Sequence, residues 1–291
     1  MHLDCDFNIQ HQVSLKKCNT FRVGGQARYF FEPESVDELL CFLRNKSSFM
    51  PDTPCYFLGL GSNTLFPDGN LDICVIRTRK LAGLSIEGHQ VTAEAGLSCA
   101  KLAKKVSALG LNDAAWFAGI PGTVGGALRM NAGAFGGVTW AHVVSVLYAD
   151  LQGHVHHFSP KAFHVGYRSV SPPFAGVFLS AIFEFSKAAA ELDIKHYLQM
   201  RNDSQPIGTY NCGSVFKNPE GYFSAKLIDG LGLKGYRLGG ACVSKKHANF
   251  IENISGNCSS KDILQLIQYV QNEVEKAYGI VLEPEVVIVK E

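Results

Sequence analysis

The stretch Ala118-Gly119-Ile120-Pro121-Gly122-Thr123-Val124-Gly125-Gly126-Ala127, followed closely by Met130-Asn131-Ala132-Gly133, decides how the rest of the chain is read. Glycines this dense beside apolar residues mark backbone that must approach something closely, or turn through positive φ, with no Cβ in the way. Two readings stand side by side at this level: tight structural turns, or a cradle of backbone N–H groups around a phosphate or pyrophosphate. The block has no Gly-Lys-Ser/Thr, so it is not a Walker loop. A second cluster, Gly59-Leu60-Gly61-Ser62-Asn63, follows the strand-like run Tyr56-Phe57-Leu58. Thr64 stands where a dinucleotide fingerprint would place its third glycine.

Outward from these blocks, the 291 residues contain 29 glycines, seven of them between 119 and 137 and five between 230 and 240, so the excess is local. With 46% hydrophobic residues the chain can bury a core and is neither disordered nor collagen-like. Its length favours two or three cores over one. The 27 Lys and Arg against 26 Asp and Glu leave a net charge of +1, which removes the electrostatic case for a nucleic-acid or anionic-membrane partner. Nine cysteines (5, 18, 41, 55, 74, 99, 212, 242 and 258) fall at wide irregular spacings with no C-x-x-C pair. They suggest neither a zinc site nor a disulfide framework, and no metal is expected; reduced thiols in a cytoplasm are the plain reading. The start, Met1 to Asp6, is acidic where a signal peptide would be basic. The long uncharged run Met130 to Ala149 is broken by Asn131, Gly133, Gly136, Gly137, Thr139, His142 and Ser145, a poor membrane span. A soluble cytoplasmic protein is expected.

Periodicity and punctuation give the elements. Strands are expected at Arg28 to Phe31, Tyr56 to Leu58, Ile73 to Ile76, Val91 to Ala95 and Val177 to Phe185, with a hairpin of Val143 to Tyr148 and His154 to Phe158 around an Asp150 to Gly153 turn. A capping box, Ser35 to Glu38, opens a helix with Leu39, Leu40 and Leu43, and a second helix starts near Ser98 and closes at Gly110. Further helices are expected from Ala188 to about Asn202, from Ser224 to Leu231 and from Ser260 to Tyr278, the last ended by Gly279, before a strand Val286 to Val289.

Single residues say little alone. His154 and His156 would share one face of a strand, as metal ligands do, yet an exposed hairpin tolerates histidines without a ligand. Cys212 beside Ser214, with His247 as a distant base, lacks a nucleophile elbow, and a lone cysteine is more often a small buried hydrophobe.

Together the segments resemble the UDP-N-acetylenolpyruvoylglucosamine reductase (MurB) family. The blocks that carry the resemblance are Asn19 to Ala27, Gly59 to Leu65, Gly119 to Ala127 with Met130 to Ala134, Tyr167-Arg168, Gly213 to Pro219, Lys245 to Asn253 and Leu282 to Glu285, in the family's order. The resemblance implies an α+β fold: a PCMH-type FAD-binding region of two subdomains, 1–80 with a C-terminal strand in 281–291 and 81–188, plus a C-terminal α/β substrate-binding domain at 189–280. It implies non-covalent FAD on Gly59, Gly61, Ser62, Asn63, Leu65, Gly119, Ile120, Pro121, Gly122, Gly125, Gly126, Asn131, Ala132 and Gly133. It further implies NADPH as reductant, a UDP-sugar substrate, and a monomer or weak oligomer.

By the same resemblance Arg168, Ser214 and Glu285 are catalytic. Arg168 would meet charge building on the substrate carboxylate, Ser214 would protonate the reduced carbon, and Glu285 would help polarise the carboxylate. Tyr167, Arg201, Gln205, Lys217, Asn218, His247 and Asn249 would contact substrate. The sequence departs from the family in having Ser169 directly after Tyr167-Arg168 instead of one residue later, and no segment matches the tyrosine-bearing loop of its longer class. A small-alcohol oxidase on the same scaffold would be expected to tether its flavin through His or Cys near a glycine block, and Gly119 to Gly137 has neither. An inactive flavin or nucleotide-sugar module would have no reason to keep all three candidate catalytic residues.

Overall fold

The computed structural model describes residues 7–187, 193–254 and 256–290. The chain forms two compact units. The first comprises the chain up to His11, Tyr29–Gly59 and Ile73–Met200; the second comprises Gln12–Arg28, Leu60–Asp72 and the chain from Arg201 onward.

In the first unit five strands form an antiparallel sheet, in the order Val155–Phe158, Val143–Asp150, Gly176–Glu184, Gln90–Glu94 and Leu84–Glu87. The expected hairpin is present: Asp150 Oδ1 accepts from the N–H groups of Gln152 and His154, 2.9 Å each, which folds the turn through an aspartate side chain. Cys55–Leu58 pairs in parallel with the second half of Asn70–Arg77. Helix α1, Val36–Phe49, buries Leu39, Leu40, Phe42 and Leu43 in a cluster with Phe31, Cys74, Ile76 and Leu179. Its N-cap is Ser35, as expected, but Glu38 accepts from the N–H of Glu34, 2.6 Å, so only the serine half of the box forms at Ser35. Helix α2, Cys99–Ser107, starts on Ser98 and stops before Gly110, because Leu109 and Gly110 close the end in tighter turns onto Val106 and Ser107. The glycine-rich block leads into the short helix α3, Val124–Met130.

A helix α4 occupies Ile194–Ser204; the expected start at Ala188 lies outside the described residues. In the second unit α5, Ser224–Gly230, and α6, Ser260–Tyr278, pack with a three-stranded antiparallel sheet of Arg237–Leu238, Ala241–Val243 and Ile251–Asn253. Helix α6 has a complete capping box of Ser259 and Asp262 and ends on Gly279 at φ +68°. Ile263, Leu266, Ile267, Val270 and Val274 give it one apolar face, each buried side chain being worth about 1.5–3 kcal/mol. The closing strand is Val287–Ile288, and it pairs in parallel with Thr64–Leu65. Strands at Gln10–Ser14 and Leu84–Glu87, and a hairpin of His164–Gly166 with Ser169–Ser171, were not expected from the sequence.

Candidate functional site

The strand Cys55–Leu58 runs directly into the Gly59 turn. A Cβ on Gly59 would lie 2.5 Å from Thr123 Oγ1, and one on Gly61, which has φ +65°, would lie 2.2 Å from the Cys18 carbonyl oxygen. Both positions therefore exclude any side chain. The Gly61 carbonyl accepts from Thr20 N–H at 3.1 Å, while the N–H groups of Gly59, Leu60, Gly61 and Ser62 donate to no acceptor among the described residues. Successive N–H donors left unused at a glycine turn suit an anionic group such as a pyrophosphate.

The second glycine block divides into two kinds of position. Val124 and Gly125 donate to the carbonyls of Leu97 and Ala95, 2.8 Å each, and Gly126 donates to Thr123 Oγ1 at 3.3 Å. Those three N–H groups are engaged within the protein. A Cβ on Gly125 would sit 2.9 Å from the Ala95 Cβ, so this glycine lets α3 begin against the strand before it. The N–H groups of Gly122 and Thr123 have no acceptor among the described residues. Gly119 is required by the Phe135 ring, 2.6 Å from where its Cβ would be, while Ile120 N–H donates to Phe117 at 3.0 Å and Pro121 carries no donor.

Beyond α3, Asn131 caps the helix at φ +41°; its side chain donates to the Gly166 carbonyl at 3.1 Å and accepts from Trp140 N–H at 3.2 Å. Ala132 accepts from both the N–H and the hydroxyl of Thr139. Tyr167 and Arg168 form the two-residue tip of the hairpin in which Gly166 pairs with Ser169. Arg168 has φ +50°, a conformation that L side chains rarely adopt. Its Nη2 donates to the Gly133 carbonyl at 2.9 Å, and a Cβ on Gly133 would lie 3.4 Å from Nη1. A candidate catalytic arginine thus rests on the segment expected to line the flavin. The sequence signal that could have found this contact is weak, since the two residues are 35 apart. Ser169, the family's displaced serine, is a strand residue of the same hairpin.

In the second unit the Cys212 to Pro219 loop lies beside Leu282 to Val286. Glu285 N–H donates to the Val215 carbonyl at 2.7 Å and Lys217 N–H to the Glu283 carbonyl at 2.9 Å, so Ser214 and Glu285 sit on adjoining backbone. Gly213, at φ +82°, turns the chain into Ser214. Asn249 ties down the loop: its side chain accepts from Phe216 N–H at 3.0 Å and donates to the Phe216 carbonyl at 2.8 Å. Asn63 Nδ2 donates to the Glu285 carbonyl at 3.0 Å, and Leu65 lies in the strand paired with Val287–Ile288. Lys217 pairs with Glu283 at 2.5 Å, and Asn218 Oδ1 accepts from Ser224 N–H at the start of α5, 3.0 Å. Arg201 Nε donates to Gln205 at 3.1 Å.

His247 Nδ1 accepts from Asn249 N–H at 3.3 Å, and burial, helped by the Lys234 charge, lowers its pKa. Burial first, then the Glu285 charge, pushes the Cys212 thiol far up. On the Asp150 hairpin, the carboxylate contacts His154 Nδ1 at 2.9 Å and His156 Nε2 at 3.4 Å, an acid–histidine cluster of the first unit. No group of three or more His, Cys, Asp or Glu side chains that could hold a metal ion occurs among the described residues.

Two family models match the chain: an FAD binding domain over residues 27–159 and the UDP-N-acetylenolpyruvoylglucosamine reductase C-terminal domain over 205–289. The α+β fold is that of a flavin-binding oxidoreductase. UDP-N-acetylenolpyruvoylglucosamine reductases of Alkalilimnicola ehrlichii and Methylococcus capsulatus are each 44% identical, over 97% of this chain and 95% and 93% of theirs. That of Coxiella burnetii is also 44% identical, over 94% of this chain and 93% of its own. The crystal structure of MurB from Thermus caldophilus superposes with a TM-score of 0.82 at 29% identity, covering 98% of this chain and all of that one. The chain belongs to the UDP-N-acetylenolpyruvoylglucosamine reductase family and is an FAD-dependent oxidoreductase.

Proposed function

We propose that this enzyme reduces UDP-N-acetylglucosamine enolpyruvate to UDP-N-acetylmuramate, a step of peptidoglycan precursor synthesis, with Arg168, Ser214 and Glu285 as its catalytic residues. FAD, held without a covalent bond, supplies the hydride that NADPH provides. The observation that carries the reading is Arg168, held in left-handed backbone and tied to the Gly133 carbonyl at 2.9 Å. An arginine kept there at a conformational cost is a fixed cation, and its guanidinium donates in a fork that matches a carboxylate.

The free N–H groups of Gly59 to Ser62 and of Gly122 and Thr123 hold the flavin pyrophosphate. Gly119, Gly125, Gly126 and Gly133 allow close backbone packing there, and Ile120, Pro121, Asn131 and Ala132 complete the lining. Ser214 delivers a proton to the carbon next to the carboxylate. An alcohol is a weak acid, so the hydroxyl must be held close to that carbon and its proton replaced from water or Lys217. Glu285 polarises the substrate carboxylate. Tyr167, Arg201, Gln205, Lys217, Asn218 and His247 contact the UDP-sugar, and Asn249 acts by holding the Ser214 loop.

The same proposal includes the division into 1–80 with 281–291, 81–188 and 189–280, and membership of the shorter class without the tyrosine loop. It also includes a cytoplasmic location, a monomeric or weakly associated state and no nucleic-acid partner. No helix among the described residues is long and apolar enough to cross a membrane. The test is anaerobic reduction of the purified yellow protein with NADPH, followed by UDP-N-acetylglucosamine enolpyruvate. Rapid reoxidation of the flavin is expected, and its absence would overturn the reading. Ser214→Ala should leave flavin reduction nearly intact and slow reoxidation by roughly a thousandfold or more. Equal losses in the two half-reactions would make Ser214 structural.

A further inference from the structure

Cys55 and Cys74 lie 19 residues apart, and the fold places them side by side. Cys55 opens the strand Cys55–Leu58 and pairs in register with Cys74 on the neighbouring parallel strand. Backbones of such neighbours lie about 4.8 Å apart with side chains on the same face, inside the roughly 4.4–6.8 Å Cα separation that a disulfide spans. The Cys74 N–H donates to the Pro54 carbonyl at 2.9 Å, which fixes this register at Cys55. Cys74 is fully buried among Phe31, Leu39 and Ile76, whereas Cys55 is half-buried at the rim of that cluster.

The neighbouring Cys74 thiol lowers the pKa of Cys55, burial opposes this, and the positive charge of Lys46 lowers it further. The neighbouring Cys55 thiol and burial push the Cys74 thiol far up. One sulfur is therefore half-buried with its pKa held below the ordinary thiol value, and its buried neighbour keeps its proton. Cys18, Cys99, Cys212, Cys242 and Cys258 are buried, and burial pushes Cys99 and Cys258 up to about 12.

We propose that Cys55 and Cys74 form a redox-modification site, at which a hydroperoxide converts the dithiol into an intrachain disulfide and a reducing dithiol restores it. The Cys55 thiolate attacks the peroxide, the O–O bond breaks, and the sulfur becomes a sulfenic acid as hydroxide or alkoxide leaves. The departing hydroxide or alkoxide takes the Cys74 proton, and the Cys74 thiolate so formed attacks the Cys55 sulfur as the S–O bond breaks and hydroxide leaves. Two thiols lose two hydrogens and the peroxide is reduced. The bridge would join two strands, one of which ends at the Gly59 turn.

The test uses the purified holoenzyme. Iodoacetamide at neutral pH should alkylate Cys55 at least about tenfold faster than Cys18, Cys99, Cys212, Cys242 or Cys258. After treatment with one equivalent of hydrogen peroxide and a denaturing thiol block, peptide mapping should find a Cys55–Cys74 cross-link that dithiothreitol reverses. In Cys74→Ser the peroxide should drive Cys55 on to sulfinic acid, which dithiothreitol does not reverse. Should that variant fail to fold, Cys55→Ser, altered at the half-buried position, must abolish the cross-link while Cys74 stays reduced. The proposal fails if Cys55 and Cys74 remain reduced at a peroxide dose that oxidises other cysteines, or if the cross-link joins a different pair.

Discussion

The two glycine-dense regions of this chain look alike in composition and use most of their glycines differently. Between 119 and 137 the glycines are needed mostly for space: a Cβ would meet the Phe135 ring from Gly119, Ala95 from Gly125, the Gly137 carbonyl from Gly133 and the Trp116 ring from Gly137. Between 230 and 240 they are needed mostly for backbone angle: Gly232, Gly235 and Gly239 have φ +68°, +81° and +55°, and Gly232 has open space where a side chain would go. Glycine density thus reports either close approach or left-handed turning, and the first kind predominates in the block at the candidate flavin site, where Gly136, at φ +87° with open space, is the exception.

Substitutions can break that distinction. The largest effect is expected from Gly137→Ala, whose Cβ would lie 2.5 Å from the Trp116 ring; overpacking of this kind should cost about 3 kcal/mol, read as a fall in the denaturant midpoint. Gly125→Ala, with its contacts to Ala95 at 2.9 Å and beyond, should cost about 2 kcal/mol and also weaken retention of the yellow flavin colour. Gly232→Ala should cost only about 1 kcal/mol, the price of a left-handed L-residue, and Gly232→Asn should recover part of it. If Asn were no better than Ala at 232, or were better than Ala at 137, the division between space and angle would be wrong.

The smallest effect concerns pH. Asp262 occupies the place of a Gly239 side chain and accepts from the N–H groups of Ser259 at 3.0 Å and Gly240 at 3.2 Å. The Ser259 bond foremost, with help from Gly240 and against the cost of burial, holds its pKa below the ordinary carboxylate value. A group depressed in the folded state contributes stability that is full above its unfolded pKa and is lost as pH falls through the folded one. Asp262→Asn should therefore lower stability at neutral pH, with the gap to the parent closing in acid, as measured by urea unfolding across pH. A gap that persists unchanged at the acid end would leave only a steric role for Asp262.

Elements with local punctuation were legible in the sequence. Helix α6 runs from Ser260 to Tyr278 as expected because its serine cap and terminal glycine are adjacent in the chain. The Asp150 hairpin was legible for the same reason. The Ser35 box was half right, since four residues cannot say whether Glu38 reaches Ser35 or Glu34. At the site, the α+β flavin-binding fold and the family were legible from motif order. What each glycine does was not: Gly125 faces a strand 30 residues back, and nothing in its own neighbourhood reveals that Ala95 takes its N–H. The Arg168–Gly133 and Cys55–Cys74 contacts were hidden likewise, because register and hairpin geometry decide them.

The second unit draws on three separated stretches, and its core joins Phe21, Val23 and Leu65 to Phe216, Ile263 and Val286. During synthesis the first of these must wait, in water, for the last. At ribosomal speeds of about 5–20 residues per second that wait is on the order of ten seconds or more, long on the scale of hydrophobic collapse. The nascent chain therefore presents an apolar segment with no partner yet made. A chaperone that holds the emerging Phe21 to Leu65 region should raise the yield of folded protein more than one that acts only after release.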